Sequence, residues 1–139
     1  MEIARTRVAG SHVQLVQGDA YALPELDSPC DGAFAGFWIS HVPRSRFKAF
    51  VHGLHSRLSP GAKVVFLDNL LVTGSSTPIA ESDAEGNTYQ IRKLNDGSTH
   101  RVLKNFPSEV EMRSWLREEG SDIRWHAWEY YWAVEYTRA

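Results

Sequence analysis

The sequence lacks several features that would by themselves assign a class of protein. It has one cysteine, Cys30, so no disulfide can form within the chain, which is typical of proteins in a reducing compartment. It has no basic excess, because 15 Lys and Arg stand beside 17 Asp and Glu, and the formal net charge is -2. Since nucleic acids are bound by clustered lysine and arginine, this balance argues against a nucleic-acid partner.

Long apolar runs are absent too. No stretch is long enough to cross a bilayer, and the first residues show no basic segment followed by an apolar run, as signal peptides do. We therefore expect a cytoplasmic protein with no membrane partner. Hydrophobic residues make up 42% of the sequence, and its 139 residues are enough for one domain, 1–139, with a core of its own.

Strands and helices alternate in the first half of the chain. Strands are predicted at 13–17, 31–39 and 62–67 from short apolar or β-branched runs. Between the last two strands a helix is predicted from Pro43 onward. Its apolar residues fall on one stripe, formed by Phe47, Phe50, Val51, Leu54 and Leu58. A helix that connects two buried strands favours their parallel arrangement.

A hairpin is predicted in the second half of the chain. The Asn95-Asp96-Gly97 sequence is a strong turn signal, and it joins runs at 88–94 and 98–104 that favour strands. We assign residues of about 86–105 to an inserted β-hairpin, and the polar residues 70–87 before it to a loop.

A helix and a strand pair follow the hairpin. Ser108 and Glu111 form a capping box that begins the helix, and Gly120 is predicted to end it. The aromatic-rich runs at 123–128 and 130–137 are joined too tightly for a crossover, so we expect them to pair antiparallel. The whole order predicts an α/β fold with a mostly parallel sheet, a C-terminal antiparallel strand pair and the inserted β-hairpin.

Four segments stand in an order and spacing that resembles one known family. They are the Gly18-Asp19-Ala20 turn with Leu23-Pro24, Asp31 leading an apolar strand to Ser40-His41-Val42, Leu58-Ser59-Pro60-Gly61-Ala62 before a strand that ends at Asp68, and the final helix with its strand pair. The family is that of the class I, Rossmann-like, S-adenosylmethionine-dependent methyltransferases. The resemblance implies an enzyme with S-adenosylmethionine as its cofactor and a partial Rossmann-like methyltransferase sheet as its fold.

Two elements of that family have no counterpart in this sequence. They are the glycine-rich turn after the family's first strand and the acidic residue that ends its second strand. Residues 1–8, which have the pattern of the end of an amphipathic helix, resemble the helix after that second strand. We therefore expect an N-terminally truncated chain that corresponds to the C-terminal two-thirds of a methyltransferase domain.

The resemblance also implies a cofactor site at the carboxyl ends of the strands. In the Gly18-Asp19-Ala20 turn, Asp19 would accept a hydrogen bond from the adenine amino group, and the Ala20 N–H would meet the adenine ring. The Gly36-Phe37-Trp38 segment would lie beside the methionine part, where aromatic faces attract the sulfonium cation. The structural alternatives are that Asp19 only stabilises its turn and that the two aromatic residues only pack in the core.

Methyl transfer needs positioning more than covalent help, and a general base only where the acceptor must lose a proton. His41, just after the strand at 31–39, is the candidate base, and its alternative is a structural hydrogen bond before the helix. On the hairpin, Tyr89 and Arg92 are candidate substrate contacts, and Arg92 could pair with a carboxylate. The alternative is that both are solvated hairpin residues.

No metal site is predicted, because no set of three or four ligands stands at zinc spacing. His52 and His55 lie three apart on the helix after Pro43 and off its apolar stripe, so both are assigned to a solvated face. The aromatic residues within 125–132 are assigned to the core and to a sheet face.

Three functional hypotheses remain open. The first is a methyltransferase that acts on an unidentified small-molecule acceptor. The second is a catalytically impaired remnant that acts through self-association or as a non-catalytic binding module. Without the family's first strands, an edge at 33–37 would be exposed, which predicts a homo-oligomer or direct pairing of this edge with 13–17. The third is an unrelated α+β ligand-binding domain, in which 31–39 and 62–68 would be antiparallel neighbours.

Overall fold

The computed structural model describes residues 2–10 and 12–139. Its elements, in chain order, are α1 (Glu2–Arg7), β1 (Cys30–Gly36), α2 (Phe47–His55), β2 (Leu58–Asn69), β3 (Glu81–Ser82), β4 (Thr88–Lys93), β5 (Thr99–Leu103), α3 (Glu109–Leu116), β6 (Gly120–Ala127) and β7 (Tyr131–Arg138). Two short 3₁₀ turns, at Ile39–His41 and Arg44–Arg46, lie between β1 and α2. In the described ranges, no helix has the length and apolar character that a membrane span needs.

The main sheet has the strand order β1-β2-β7-β6. β1 and β2 are parallel, whereas β2 pairs antiparallel with β7, and β7 with β6. The parallel pair follows from the helical crossover through α2, which returns the chain in the same direction. The α/β prediction is therefore confirmed, as a mixed sheet. The α+β alternative is wrong, because it requires 31–39 and 62–68 to be antiparallel neighbours.

A second sheet contains the hairpin and has the order β3-β4-β5. β4 and β5 pair antiparallel, with Gln90 opposite Val102, so the hairpin prediction is confirmed. Gly97 at its tip has a φ of 86°, a left-handed conformation that glycine adopts without steric cost. β3 adds a two-residue strand within the segment that was predicted as loop.

The core lies between the main sheet and the two helices α2 and α3. Phe47 of α2 joins the layers, because its ring centroid lies 6.3 Å from that of Phe66 on β2 and 4.9 Å from that of Trp115 on α3. The fully buried side chains of β7, Trp132 and Val134, pack into the same cluster. The two helices and the central strands are thus held by one hydrophobic cluster.

The bounds of α3 agree with the sequence at one end and differ at the other. The capping box is confirmed, because Glu111 N–H donates to Ser108 Oγ while Ser108 N–H donates to the Glu111 carboxylate. The helix ends at Leu116, so the prediction that Gly120 ends it is wrong. Gly120 instead begins β6, where a β-carbon would overlap the carbonyl oxygen of Thr137 on β7.

Residues 13–17 do not form a strand, so the prediction for this segment is wrong. A strand needs a neighbour for its backbone N–H and C=O groups, and no described strand flanks this segment. The direct pairing of 13–17 with β1 does not form either. β1 is therefore an edge of the main sheet, and its Phe34 side chain is 68% exposed.

His55 also differs from its prediction. It is buried, and its Nε2 lies 2.8 Å from the Tyr136 hydroxyl, so its assignment to a solvated face is wrong. The end of α2 turns this side chain toward β7, and burial lowers the pKa of His55. His52 is exposed, as predicted, and its Nε2 lies 3.0 Å from Glu119 Oε1.

Candidate functional site

The candidate site lies where the parallel strands β1 and β2 end, at Gly36 and Asn69. Phe37 leaves this edge with its N–H donated to Leu67 O at 2.8 Å. Its φ of 57° is left-handed, a conformation that a bulky side chain adopts only at a cost and that is concentrated at functional sites. Because ligands of open α/β sheets bind beyond the carboxyl ends of the strands, this edge is the place to expect one.

The Gly36-Phe37-Trp38 segment presents one open and one packed aromatic ring. Phe37 is 51% exposed, and its ring meets that of Tyr131 nearly edge-on at 6.0 Å. Trp38 is half-buried, with its ring 6.0 Å from Tyr21 and 6.2 Å from Phe50. Its buried indole N–H has no hydrogen-bond partner among the described residues. Core packing therefore accounts for Trp38, but Phe37 is open to a ligand.

The Gly18-Asp19-Ala20 turn lies beside this segment. Asp19 Oδ1 accepts the Tyr21 N–H at 2.9 Å, and Asp19 O accepts the Ala22 N–H at 3.0 Å, so the carboxylate does stabilise its own turn. The contact between the rings of Tyr21 and Trp38 joins the turn to the end of β1. The fold thus brings together the two segments that the sequence analysis assigned to a cofactor.

A cavity of about 240 Å³ lies next to these segments, at the end of β2. It is open on one side and bordered by the end of β2, the following turn, the hairpin with the residues just after it, and the connection between β6 and β7. Its lining residues are Asn69, Leu70, Ser75, Ser76, Thr77, Gln90, Arg92, Lys104, Phe106, Tyr130 and Tyr131. Tyr131 also contacts Phe37, so the cavity adjoins the Gly36-Phe37-Trp38 segment.

Lys104, one of the residues that line this cavity, belongs to a buried ion pair with Asp68, which lies behind the lining. Lys104, after β5, is 4% exposed, and its Nζ donates to Asp68 Oδ1 at 3.0 Å, to Ser40 Oγ at 2.7 Å and to Asn69 Oδ1 at 3.1 Å. The other carboxylate oxygen of Asp68 accepts the Ser40 N–H at 2.9 Å. All three N–H donors of the ammonium are used, and the charges of Lys104 and Asp68 neutralise each other. The ion pair thereby holds the hairpin against the ends of β1 and β2.

The sequence analysis missed this pair. Asp68 was visible as the end of a predicted strand, but nothing marked Lys104, because lysine at the end of a hairpin strand is ordinarily solvated. The aromatic wall of the cavity was missed as well, since Tyr130 and Tyr131 were assigned to the core and a sheet face, and both are exposed. A hydrogen bond with Glu129 raises the pKa of Tyr130, which keeps its phenol protonated and able to donate.

His41 makes a defined hydrogen bond. Its Nδ1 lies 2.8 Å from the carbonyl oxygen of Leu103, and because a carbonyl only accepts, Nδ1 carries the proton. In the neutral ring this leaves Nε2 as an acceptor. His41 does not belong to the cavity lining, and its bond fixes the 3₁₀ turn after β1 against the hairpin. The described residues contain no group of three His, Cys, Asp or Glu arranged to hold a metal ion.

The two candidate substrate contacts lie apart. Tyr89 is covered by the Arg101 guanidinium, 3.4 Å from its ring centroid, and its hydroxyl donates to Asp83 Oδ2 at 3.0 Å. It does not line the cavity. Arg92 does, and its guanidinium donates to Gln90 Oε1 at 3.1 Å. The hairpin therefore brings Arg92, but not Tyr89, to the candidate site.

Comparisons with known proteins extend this description. No protein-family model and no curated protein matches the sequence. Among solved structures, the chain is similar to DhpI in complex with SAH, with a TM-score of 0.69 and 25% identity over 96% of this chain and 58% of that chain. It is also similar to a protein from Pyrococcus horikoshii OT3, with a TM-score of 0.73 and 18% identity over 99% of this chain and 66% of that chain.

A third similar structure is the glycopeptide N-methyltransferase MtfA complexed with (S)-adenosyl-L-methionine. Its TM-score is 0.64, and the identity is 17% over 97% of this chain and 71% of that chain. Together with the mixed sheet and its parallel crossover, these similarities show that the chain has a class I methyltransferase fold. The chain spans 58% of the length of DhpI.

Proposed function

We propose that the protein is an S-adenosylmethionine-dependent methyltransferase that acts on a small-molecule acceptor. The proposal rests on the contact between Phe37 and Tyr131, which joins the predicted cofactor segments to the cavity. DhpI and MtfA, whose fold this chain shares, have structures in complex with SAH and with (S)-adenosyl-L-methionine. When bound, the cofactor supplies a methyl group on a sulfonium centre. The free, exposed Cys30 further supports a reducing, cytoplasmic location.

The residues at this edge fit the cofactor chemically. In the Gly18-Asp19-Ala20 turn, one oxygen of Asp19 is bonded to Tyr21 N–H, but Oδ2 accepts no hydrogen bond from a described residue, so it can accept one from an amino group. Gly18 and Ala20 of the turn, with Leu23 and Pro24, line a mostly apolar cavity of about 320 Å³ beside Asp19, with Arg57 as its one charged lining residue, and its apolar walls suit a flat base. The exposed ring of Phe37 offers a face to a sulfonium cation.

We place the acceptor in the cavity at the end of β2. Its walls combine the aromatic rings of Phe106, Tyr130 and Tyr131 with polar side chains, an arrangement that orients a small molecule. Orientation is the main requirement of an in-line displacement on a methyl carbon. The candidate base remains His41, whose Nε2 is the ring nitrogen left unprotonated by the bond to Leu103 O. Because His41 does not line the cavity, it could take a proton from the acceptor only through an intervening water.

Calorimetric titration of the 139-residue chain with S-adenosylmethionine tests this function. We expect saturable heat for the native chain. Asp19→Ala is expected to raise the Kd about 10- to 100-fold, because a hydrogen bond to a charged acceptor contributes about 1.5–3 kcal/mol. Asp19→Asn keeps an oxygen for the turn and loses only the charge, so its Kd should rise less.

The outcomes separate the cofactor role of Asp19 from its role in the turn. The thermal midpoint of each variant is measured alongside, and Asp19→Ala should lose affinity while it stays folded at the titration temperature. A native chain that produces no heat would overturn methyltransferase activity for this chain. An Asp19→Ala variant with the native Kd would remove Asp19 from the cofactor site.

A second candidate function is self-association through the edge strand β1. The observation that favours it is Phe34, 68% exposed on a strand whose outer edge has no partner strand in the described part of the chain. We expect light scattering coupled to size exclusion to give a dimer for the native chain. Phe34→Lys, which puts a charge on the edge, should give a monomer. A native monomer at every concentration would contradict this function.

A further inference from the structure

We infer that the acceptor carries an anionic oxygen group, a carboxylate or a phosphate, which Arg92 binds at the wall of the cavity. The inference rests on the proposed function, since it names the substrate class of the same site. It is carried by the position of Arg92, by the charge balance of the cavity lining and by the hydroxyl groups that face the cavity beside it.

A chain of two hydrogen bonds, through Gln90 to Thr77, holds the Arg92 guanidinium in position. Its guanidinium donates to Gln90 Oε1 at 3.1 Å, and Gln90 Nε2 donates to Thr77 O at 2.6 Å. Gln90 is 2% exposed, so this anchor is fixed by the packing around it. The bond to Gln90 is the one contact that the described residues give the guanidinium, so its remaining N–H donors are available to a ligand.

One positive charge of the cavity lining, that of the exposed Arg92, has no counter-charge from a described residue. Its lining includes two cations, Arg92 and Lys104, and no Asp or Glu. Lys104 is neutralised from outside the lining by Asp68, 3.0 Å away. Arg92 has no carboxylate within ion-pair distance among the described residues, unlike Arg101 on the same hairpin, whose Nε donates to Glu81 at 2.8 Å. A ligand with one anionic group would complete the charge balance of the site.

Hydroxyl groups complete the arrangement. Ser75 and Thr77 line the cavity beside Arg92, and their side-chain hydroxyls make no hydrogen bond to another described residue. Ser76, between them, is engaged, because its Oγ accepts the Val72 N–H at 2.9 Å. A guanidinium and two hydroxyls in one cavity lining provide donors for the oxygens of a carboxylate or a phosphate, and the planar guanidinium can bind two of those oxygens at once.

The test uses uniformly nitrogen-15-labelled protein and two probes, acetate and inorganic phosphate, added at constant ionic strength. We expect saturable shifts of the Arg92 Nε–H signal and of the backbone amides at 75–77, and the tighter of the two anions identifies the group. Arg92→Gln, which removes the charge, should weaken binding at least about tenfold. Arg101→Gln is the matched control, an arginine of the same hairpin outside the cavity, and should leave the Kd unchanged.

Three results would overturn the inference. The first is that neither anion gives saturable shifts. The second is that Arg92→Gln binds as tightly as the native chain, and the third is that Arg101→Gln weakens binding as much as Arg92→Gln does. Titration of the same labelled sample with S-adenosylmethionine keeps the two proposals apart. Cofactor binding without anion binding defeats this inference alone, whereas anion binding without cofactor binding defeats the proposed function and leaves the anion site in place.

Discussion

Replacing Lys104 with methionine is expected to lower the free energy of unfolding by about 3–5 kcal/mol. The substitution removes the ammonium and leaves the carboxylate of Asp68, which is 0% exposed, buried without its counter-charge. It also removes donors from Ser40 Oγ and Asn69 Oδ1. Urea unfolding followed by tryptophan fluorescence measures the change, since the midpoint shifts while the slope stays constant for a change in stability alone.

Two further variants test the physical reason. Lys48→Met removes an ammonium that lies 3.0 Å from Glu118 with 60% of the lysine side chain exposed, and it should change stability little, since water already screens this pair. The double variant Lys104→Met with Asp68→Asn removes both buried charges and should recover part of the loss. If Lys104→Met were as mild as Lys48→Met, the buried pair would not have the energetic role assigned to it.

Phe66→Ala is the second substitution with a large expected effect, a loss of about 3–5 kcal/mol in unfolding free energy. Phe66 on β2 is 0% exposed, and its ring centroid lies 5.8 Å from Tyr136, 6.1 Å from Phe50 and 6.3 Å from Phe47. Truncation leaves a cavity in the core. The three surrounding rings, two on α2 and one on β7, are fixed by their own elements and cannot move in to fill it. The same urea experiment measures the loss.

Phe34→Ala on the neighbouring strand is the matched control. In the single chain Phe34 is 68% exposed, so under conditions in which the chain is monomeric its truncation removes little buried surface and should leave the unfolding midpoint nearly unchanged. Comparable losses for the two phenylalanines would mean that β1 is covered in solution, as the self-association hypothesis requires. The pair of variants therefore reports on the core and on the edge at once.

The elements that could be predicted from the sequence are those specified by local residues. The capping box at Ser108 and Glu111 satisfies backbone N–H groups within one helical turn, and Asn95-Asp96-Gly97 needs only its own backbone conformation. The parallel pairing of β1 with β2 followed from the helix between them. In each case the physical cause lies within the segment or its immediate connection.

The predictions that failed depended on distant parts of the chain. The run at 13–17 has the composition of a strand, but a strand also needs a sheet neighbour, which its own residues do not provide. His55 was assigned to a solvated face because it lies off the apolar stripe. It is buried instead, because the Tyr136 hydroxyl across the core gives its ring a hydrogen-bond partner. Gly120 was interpreted as a helix end. Its lack of a β-carbon instead lets β6 lie close to Thr137 on β7, which its own neighbours in the sequence do not indicate.

The candidate site was predictable in part for the same reason. Of the two segments predicted to bind the cofactor, Gly36-Phe37-Trp38 lies at the end of β1, as the sequence indicates, whereas Gly18-Asp19-Ala20 follows a segment that is not a strand. Arg92 stood out as a charge on the hairpin. The cavity that gives Arg92 its proposed role is assembled from turns between residues 69 and 131, and no local pattern predicts their meeting. Lys104 could not be recognised from the sequence, because its burial depends on partners from two other segments, the 3₁₀ turn after β1 and the end of β2.

The hairpin is attached to the rest of the protein at its base. Its base is fixed, because Thr88 N–H donates to Asn105 Oδ1 at 2.9 Å and Asn105 N–H donates to Ser40 O at 2.7 Å, in addition to the Lys104 ion pair. Its outer part, beyond Arg92, meets solvent. Substitutions in the outer hairpin are therefore expected to leave its base in place, because none of the contacts that hold the base involves residues 93–98.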